Sequence, residues 1–301
     1  MTSVPPPSQP SSSLPTHPEV PPGIPLSPPR ADGRGKGLGS VPVWALLAAL
    51  LGAFVVAAIA FAMITIGIEA GGGAVTKDGP PGLLISATLI QDVALIAAAV
   101  LFAGFWARGL TPASFGLRRV PAGTAGGWLV AAFIAFWILT AIYVSLVGQP
   151  DQQELTRDLR QEESLAALIG YGFLLAVVAP LAEEFFFRGF VFGVLREKIG
   201  VAGGAAATGL VFGVVHVFGS PIETLGVLVI LGVLLCVLYQ KTGSLLPCIA
   251  LHAINNAISF ASTKSVPWPE AVAIVLACTG AAVAVAAAVT QRQDLFSRAR
   301  A

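Results

Sequence analysis

Stretches of about twenty apolar residues recur through most of this chain, and they restrict its fold more than any other feature. A backbone crossing hydrocarbon finds no water for its N–H and C=O groups, so every such stretch has to satisfy them internally, as a helix does. Runs able to cross a hydrocarbon layer of about 30 Å lie near 43–68, 83–107, 125–147 and 166–195, with four more near 202–219, 222–240, 244–262 and 269–290. The expectation is an all-α polytopic membrane protein with about eight transmembrane helices. A mean hydropathy of +0.83 and 11% charged residues exclude a soluble globule. A net charge of +1 argues against nucleic acid as a partner, and the bilayer is the expected one.

Residues 1–39 have a different composition. Pro, Ser and Gly dominate them, as in Val4-Pro5-Pro6-Pro7, and almost nothing is apolar, which predicts a disordered cytoplasmic tail. A transmembrane domain over 40–292 and a short cytoplasmic tail over 293–301 complete the organisation. Placing both termini in the cytoplasm puts Arg30, Arg34, Lys36, Arg108, Arg118, Arg119, Arg196, Lys198, Lys241, Arg292, Arg298 and Arg300 inside. Only Lys77, Arg157, Arg160 and Lys264 then fall outside, the bias of a multi-pass protein of the cell membrane. The outer loop after the third run is acidic, with Asp151, Glu154 and Asp158. Cys236, Cys248 and Cys278 lie in apolar runs without C-x-x-C spacing and read as small buried hydrophobes.

Against this background the polar residues inside the runs carry the functional signal, because an ionisable group in hydrocarbon is costly. Glu183, Glu184 and Arg188 lie in the fourth run, His216 in the fifth, and His252 with Asn256 in the seventh. The chain has three histidines, and two are in this set; the other, His17, is in the tail. Adjacent helical residues point about 100° apart, so Glu183 and Glu184 cannot share one role. Glu184 and Arg188, at i and i+4 with the acid first, are expected to form an ion pair, leaving Glu183 free as a general base. His252 and Asn256, also at i and i+4, occupy one helix face and offer a metal ligand or hydrogen-bond donors. Pro180 removes an N–H and is expected to kink the fourth helix near Glu183. Asp92, beside Gln91 in the second run, reads either as a cavity residue or as a neutral partner of a neighbouring helix.

The order Glu183-Glu184-Phe185-Phe186-Phe187-Arg188, Phe212-x-x-x-His216 and His252-x-x-x-Asn256 resembles the three motifs of the CPBP intramembrane proteases. These include the type II CAAX prenyl endopeptidases and the bacteriocin-processing or Abi proteins, and the resemblance covers about 160–265. It implies a membrane endopeptidase in which Glu183 activates water with His216 while His252 and Asn256 complete the site. Two mechanisms fit these residues. In one, His216, His252 and Glu183 hold Zn²⁺. In the other, Glu183 and His216 deprotonate water and His252 with Asn256 stabilise the oxyanion. The expected substrate is a peptide or membrane protein. The competing readings are a proton-coupled membrane transporter, since Glu and His also build proton relays, and a non-catalytic bacteriocin-immunity or binding protein.

Overall fold

Helices account for every transmembrane element in the computed structural model, which describes residues 37–73, 81–148, 159–217 and 219–298. The expectations for the tail up to residue 36, for Asp151, Glu154 and Asp158, and for residues 299–301 lie outside this range. In chain order the helices are α1 (Val43–Ala70), α2 (Pro81–Trp106), α3 (Ala122–Val147), α4 (Leu165–Val214), α5 (Ile222–Thr242), α6 (Leu245–Thr263) and α7 (Trp268–Arg298). No strand occurs among the described residues. The chain is therefore an all-α polytopic protein.

Local sequence sets the ends of these helices. Pro42, Pro121 and Pro221 each stand immediately before a helix, where a missing N–H costs nothing. Ser244 caps α6 by accepting from the N–H of Leu246 at 3.2 Å. Gly243, at φ 64°, closes α5 in the left-handed region.

Among the described residues, seven helices are long and apolar enough to cross a membrane, against the about eight expected. The difference lies in α4, which joins the expected fourth and fifth runs into one stretch of 50 residues. At 1.5 Å per residue that is about 75 Å, more than twice a hydrocarbon layer, so it cannot continue straight. Gly200 breaks it, with φ 77° and ψ 169°, a conformation essentially confined to glycine. The chain folds back there: a Cβ placed on Gly204 would sit 2.9 Å from the backbone nitrogen of Arg196. The second arm, residues 201–214, adds about 21 Å of helix in the return direction.

Burial is uneven across the bundle. In α6, 61% of the apolar window is buried, against 6% in α3 and 11% in α7, so α6 is the central helix. It is also the least hydrophobic of the seven, because His252, Asn255 and Asn256 need protein rather than lipid around them. The outer helices instead turn Leu47, Leu51, Ile134, Leu146 and Leu276 outwards, as a lipid-facing surface requires. Around the middle of α4 the core is aromatic, with Phe186, Phe187, Phe190, Phe192 and Phe212 all buried.

Candidate active site

Two wide turns bracket Glu183. The first arm of α4 is π-helical over Leu174–Val178, returns to α-helix for Ala179–Glu183, and is π-helical again over Glu184–Phe192. Such turns cluster at functional sites because they re-aim side chains without ending the helix. Pro180 accounts for part of this. In the first wide turn the N–H of Ala179 bonds the carbonyl of Leu174, so the next acceptor in register is Leu175, and Pro180 has no N–H to give it. Asn256 supplies the donor from α6, with Nδ2 2.9 Å from the Leu175 oxygen. A carbonyl can only accept, which fixes the orientation of the amide. The orphaned acceptor is thus Leu175 in place of the α-helical partner Ala176, and the structure commits one Asn256 N–H to it. The Asn256 oxygen accepts from Asn255 at 3.3 Å.

The expected Glu184–Arg188 ion pair is present at 2.7 Å, with both side chains 0% exposed. Arg188 also reaches the carbonyl of Gly232 on α5 at 3.3 Å and lies 4.5 Å from the centre of the Phe212 ring. What the spacing did not reveal is a third member. The same Glu184 oxygen accepts from His252 Nδ1 at 2.8 Å, across from α6. A carboxylate paired with Arg188 is acceptor-only, so His252 Nδ1 donates this bond and Nε2 faces the other way. On that side stands Glu183, whose Oε2 is 3.9 Å from His252 Nε2. That separation is beyond a hydrogen bond and leaves the Glu183 carboxylate available.

Phe212 ties His216 to this group. Its carbonyl receives His216 Nδ1 at 2.7 Å, its ring centre lies 5.1 Å from that of His216, and 5.9 Å from that of His252. The F-x-x-x-H spacing has a physical meaning here: one residue fixes both the tautomer of His216 and the packing between the two imidazoles. With Nδ1 donating to a carbonyl, His216 Nε2 is left as an acceptor. Glu183 and His216 line one cavity of about 50 Å³, together with Phe54, Gln91, Leu95, Phe187 and Val215. A polar cavity of this size holds a few waters. The Glu183 side chain is 17% exposed, whereas Glu184 behind it is fully buried.

Of the expected site residues, Glu183, His216 and His252 are brought together around Phe212, with Glu184 and Arg188 directly behind His252. Asn256 stands one turn further along α6 with its amide on α4. Gln91 joins the cavity from α2, and Asp92 beside it is 2% exposed with Oδ2 lacking a hydrogen-bond partner. Asp92 is near enough for its carboxyl group to interact electrostatically with Glu183. Among the described residues, no three His, Cys, Asp or Glu side chains gather closely enough to hold a metal ion.

Residues 165–258 match the family model described as type II CAAX prenyl endopeptidase Rce1-like. That segment, under a third of the chain, is similar to the Rce1-like family. It contains Glu183, Glu184, Arg188, His216, His252 and Asn256, and nearly coincides with the expected 160–265. Helices α1–α3 and α7 lie outside it, so Gln91 and Asp92 are contributed by chain beyond the matched segment. No curated protein and no solved structure matches the chain.

Proposed function

We propose that the chain is an intramembrane endopeptidase in which Glu183 is the general base that activates water. The supporting observation is the shared cavity: Glu183 and the acceptor nitrogen of His216 face one polar space large enough for water. A water there donates one hydrogen to each, leaving an oxygen lone pair for a peptide carbonyl. Glu183 takes the proton as the C–O bond forms and returns it to the leaving amine. His252, held through Nδ1 by Glu184, presents Nε2 beside Glu183 and stabilises the oxyanion when protonated there. Glu184 and Arg188 orient His252, and Asn256 maintains the wide turn that aims Glu183.

Prenylated peptides are what the matched family's name points to; for this chain we propose a peptide or membrane-protein substrate entering the bilayer. Both termini are proposed to be cytoplasmic, in keeping with the Lys and Arg distribution and with the return of the second arm of α4 after Gly200. Cysteine-labelling accessibility at introduced sites in residues 37–40 and 291–298 tests that orientation; opposite labelling of the two sets contradicts it. For the chemistry, the His216→Gln variant is expected to lower turnover about 10²-fold or more while keeping the fold, because glutamine offers no comparable base. Undiminished cleavage by this variant removes His216 from the mechanism.

A further inference from the structure

At one end of the bundle, away from the cavity, the loop after α2, the first arm of α4 and the last turns of α5 bring together several shielded donor atoms without a hydrogen-bond partner. Tyr239 is 0% exposed, and its hydroxyl lacks a hydrogen-bond partner. The same holds for the shielded Nε and Nη2 of Arg118 and the Nε of Arg196. Arg196 lies 5.4 Å from the Tyr239 ring centre and 5.8 Å from that of Phe192, and its Nη1 reaches Gln240 only at 3.5 Å. Arg118 acts electrostatically on the same phenol.

The arrangement is built in by the backbone. Gly116, at φ 90°, lies against the Tyr239 hydroxyl so closely that any Cβ would collide with it. Two residues on, the Arg118 carbonyl is held by the Ser244 hydroxyl at 2.6 Å, and its N–H by Gly116 at 3.0 Å. Among the described residues neither guanidinium forms an ion pair. Stacking of Arg196 on Phe192 and Tyr239 offsets part of the cost of holding two like charges here, but it leaves the shielded N–H groups of both arginines unsatisfied. A planar guanidinium fork fits a phosphate oxyanion, and a phenol O–H adds a third donor.

We propose that Arg118, Arg196 and Tyr239 bind a phosphate oxyanion, of the kind an anionic phospholipid presents at the membrane surface. Tyr239 is three residues from the end of α5 and Arg196 four from the break at Gly200, so the site lies at headgroup depth. Arg108, Arg119, Lys198 and Lys241 are exposed at helix ends and loops of the same kind, a surface that enriches anionic lipid. Arg196 is about 12 Å along the helix from Arg188, which separates the site from the candidate active site.

The test uses the full chain in uncharged detergent, following thermal unfolding during titration with short-chain phosphatidylglycerol, and separately with inorganic phosphate at fixed ionic strength. The wild type is expected to be stabilised saturably. Arg118→Gln and Arg196→Gln should each weaken the apparent affinity by roughly tenfold or more, and Tyr239→Phe by roughly threefold, while Arg160→Gln, before the start of α4, behaves as wild type. Phosphate acting alongside the lipid identifies the headgroup anion as sufficient; a response to the lipid alone shows that the acyl chains contribute as well. Without ligand, the two arginine variants should melt at or above the wild type, since an uncompensated charge has been removed. The proposal is overturned if neither ligand stabilises the wild type, or if stabilisation persists undiminished in both arginine variants. A lower ligand-free melting temperature with an unchanged lipid response would instead make the arginines packing residues, which also overturns it.

Discussion

Replacing Arg188 by leucine removes one half of an ion pair whose two side chains are both 0% exposed. The loss goes beyond one contact. Glu184 keeps a charge in the protein interior, and its shared oxygen, which accepts from both Arg188 and His252, retains only the imidazole. Leaving a buried charge without its partner costs about 3–5 kcal/mol. The Gly232 carbonyl loses its donor and the Phe212 ring loses its cation, each worth about 1 kcal/mol. The total destabilisation expected is therefore about 5–7 kcal/mol, in the upper tail for a single substitution. Adding Glu184→Gln removes the stranded charge while keeping a carbonyl oxygen for His252 Nδ1, so the double variant should recover about half of the loss. Reversible unfolding in mixed micelles with increasing SDS reads both quantities. A cost for Arg188→Leu below about 1 kcal/mol, or a double variant less stable than Arg188→Leu, would refute the reasoning that the arginine compensates Glu184 in a dry interior.

Other substitutions test separate parts of the account. Asn256→Ala strands the Leu175 carbonyl and should destabilise by about 1–3 kcal/mol; Pro180→Ala in the same background returns an N–H to the helix and should restore part of that, as SDS unfolding would show. Gly200→Ala forces a Cβ into a conformation nearly exclusive to glycine, with an expected loss of about 1–3 kcal/mol in the same assay. Asp92→Asn should leave stability unchanged or raised, because Asp92 Oδ2 has no partner to lose. A clear fall in its unfolding midpoint would reveal a partner for that oxygen.

Helix content and the main ion pair were legible in the sequence because both depend on local spacing. Apolar runs longer than a bilayer leave helix as the available structure, and Glu184 with Arg188 at i and i+4 share a face in any helix. The count of spans was less legible. Residues 166–195 and 202–219 read as two separate helices from hydropathy, but hydropathy does not register that Gly200 turns the chain while helix continues on both sides.

Contacts across helices were hidden for a different reason. His252 meeting Glu184 depends on how α6 is rotated against α4, and nothing within either segment encodes that rotation. Asn256 illustrates the point further. Its spacing from His252 places both on one face, yet the partner of its amide is decided by a π-helical turn around Pro180 that shifts the orphaned carbonyl from Ala176 to Leu175. Gln91 had no signal beyond being polar in an apolar run, and its place in the cavity follows only from the packing of α2 against α4.

The central proposal, water activated by Glu183, is tested most directly by cleavage of a quenched peptide library with the full chain in nanodiscs, comparing wild type with Glu183→Gln and with a chelator-treated sample. The account predicts cleavage by the wild type, a loss of about 10²-fold or more in Glu183→Gln with an unchanged unfolding midpoint, and no effect of the chelator. Cleavage retained by Glu183→Gln would contradict the general-base role, and chelator inhibition reversed by added zinc would contradict the proposed mechanism in which Glu183 acts without a metal.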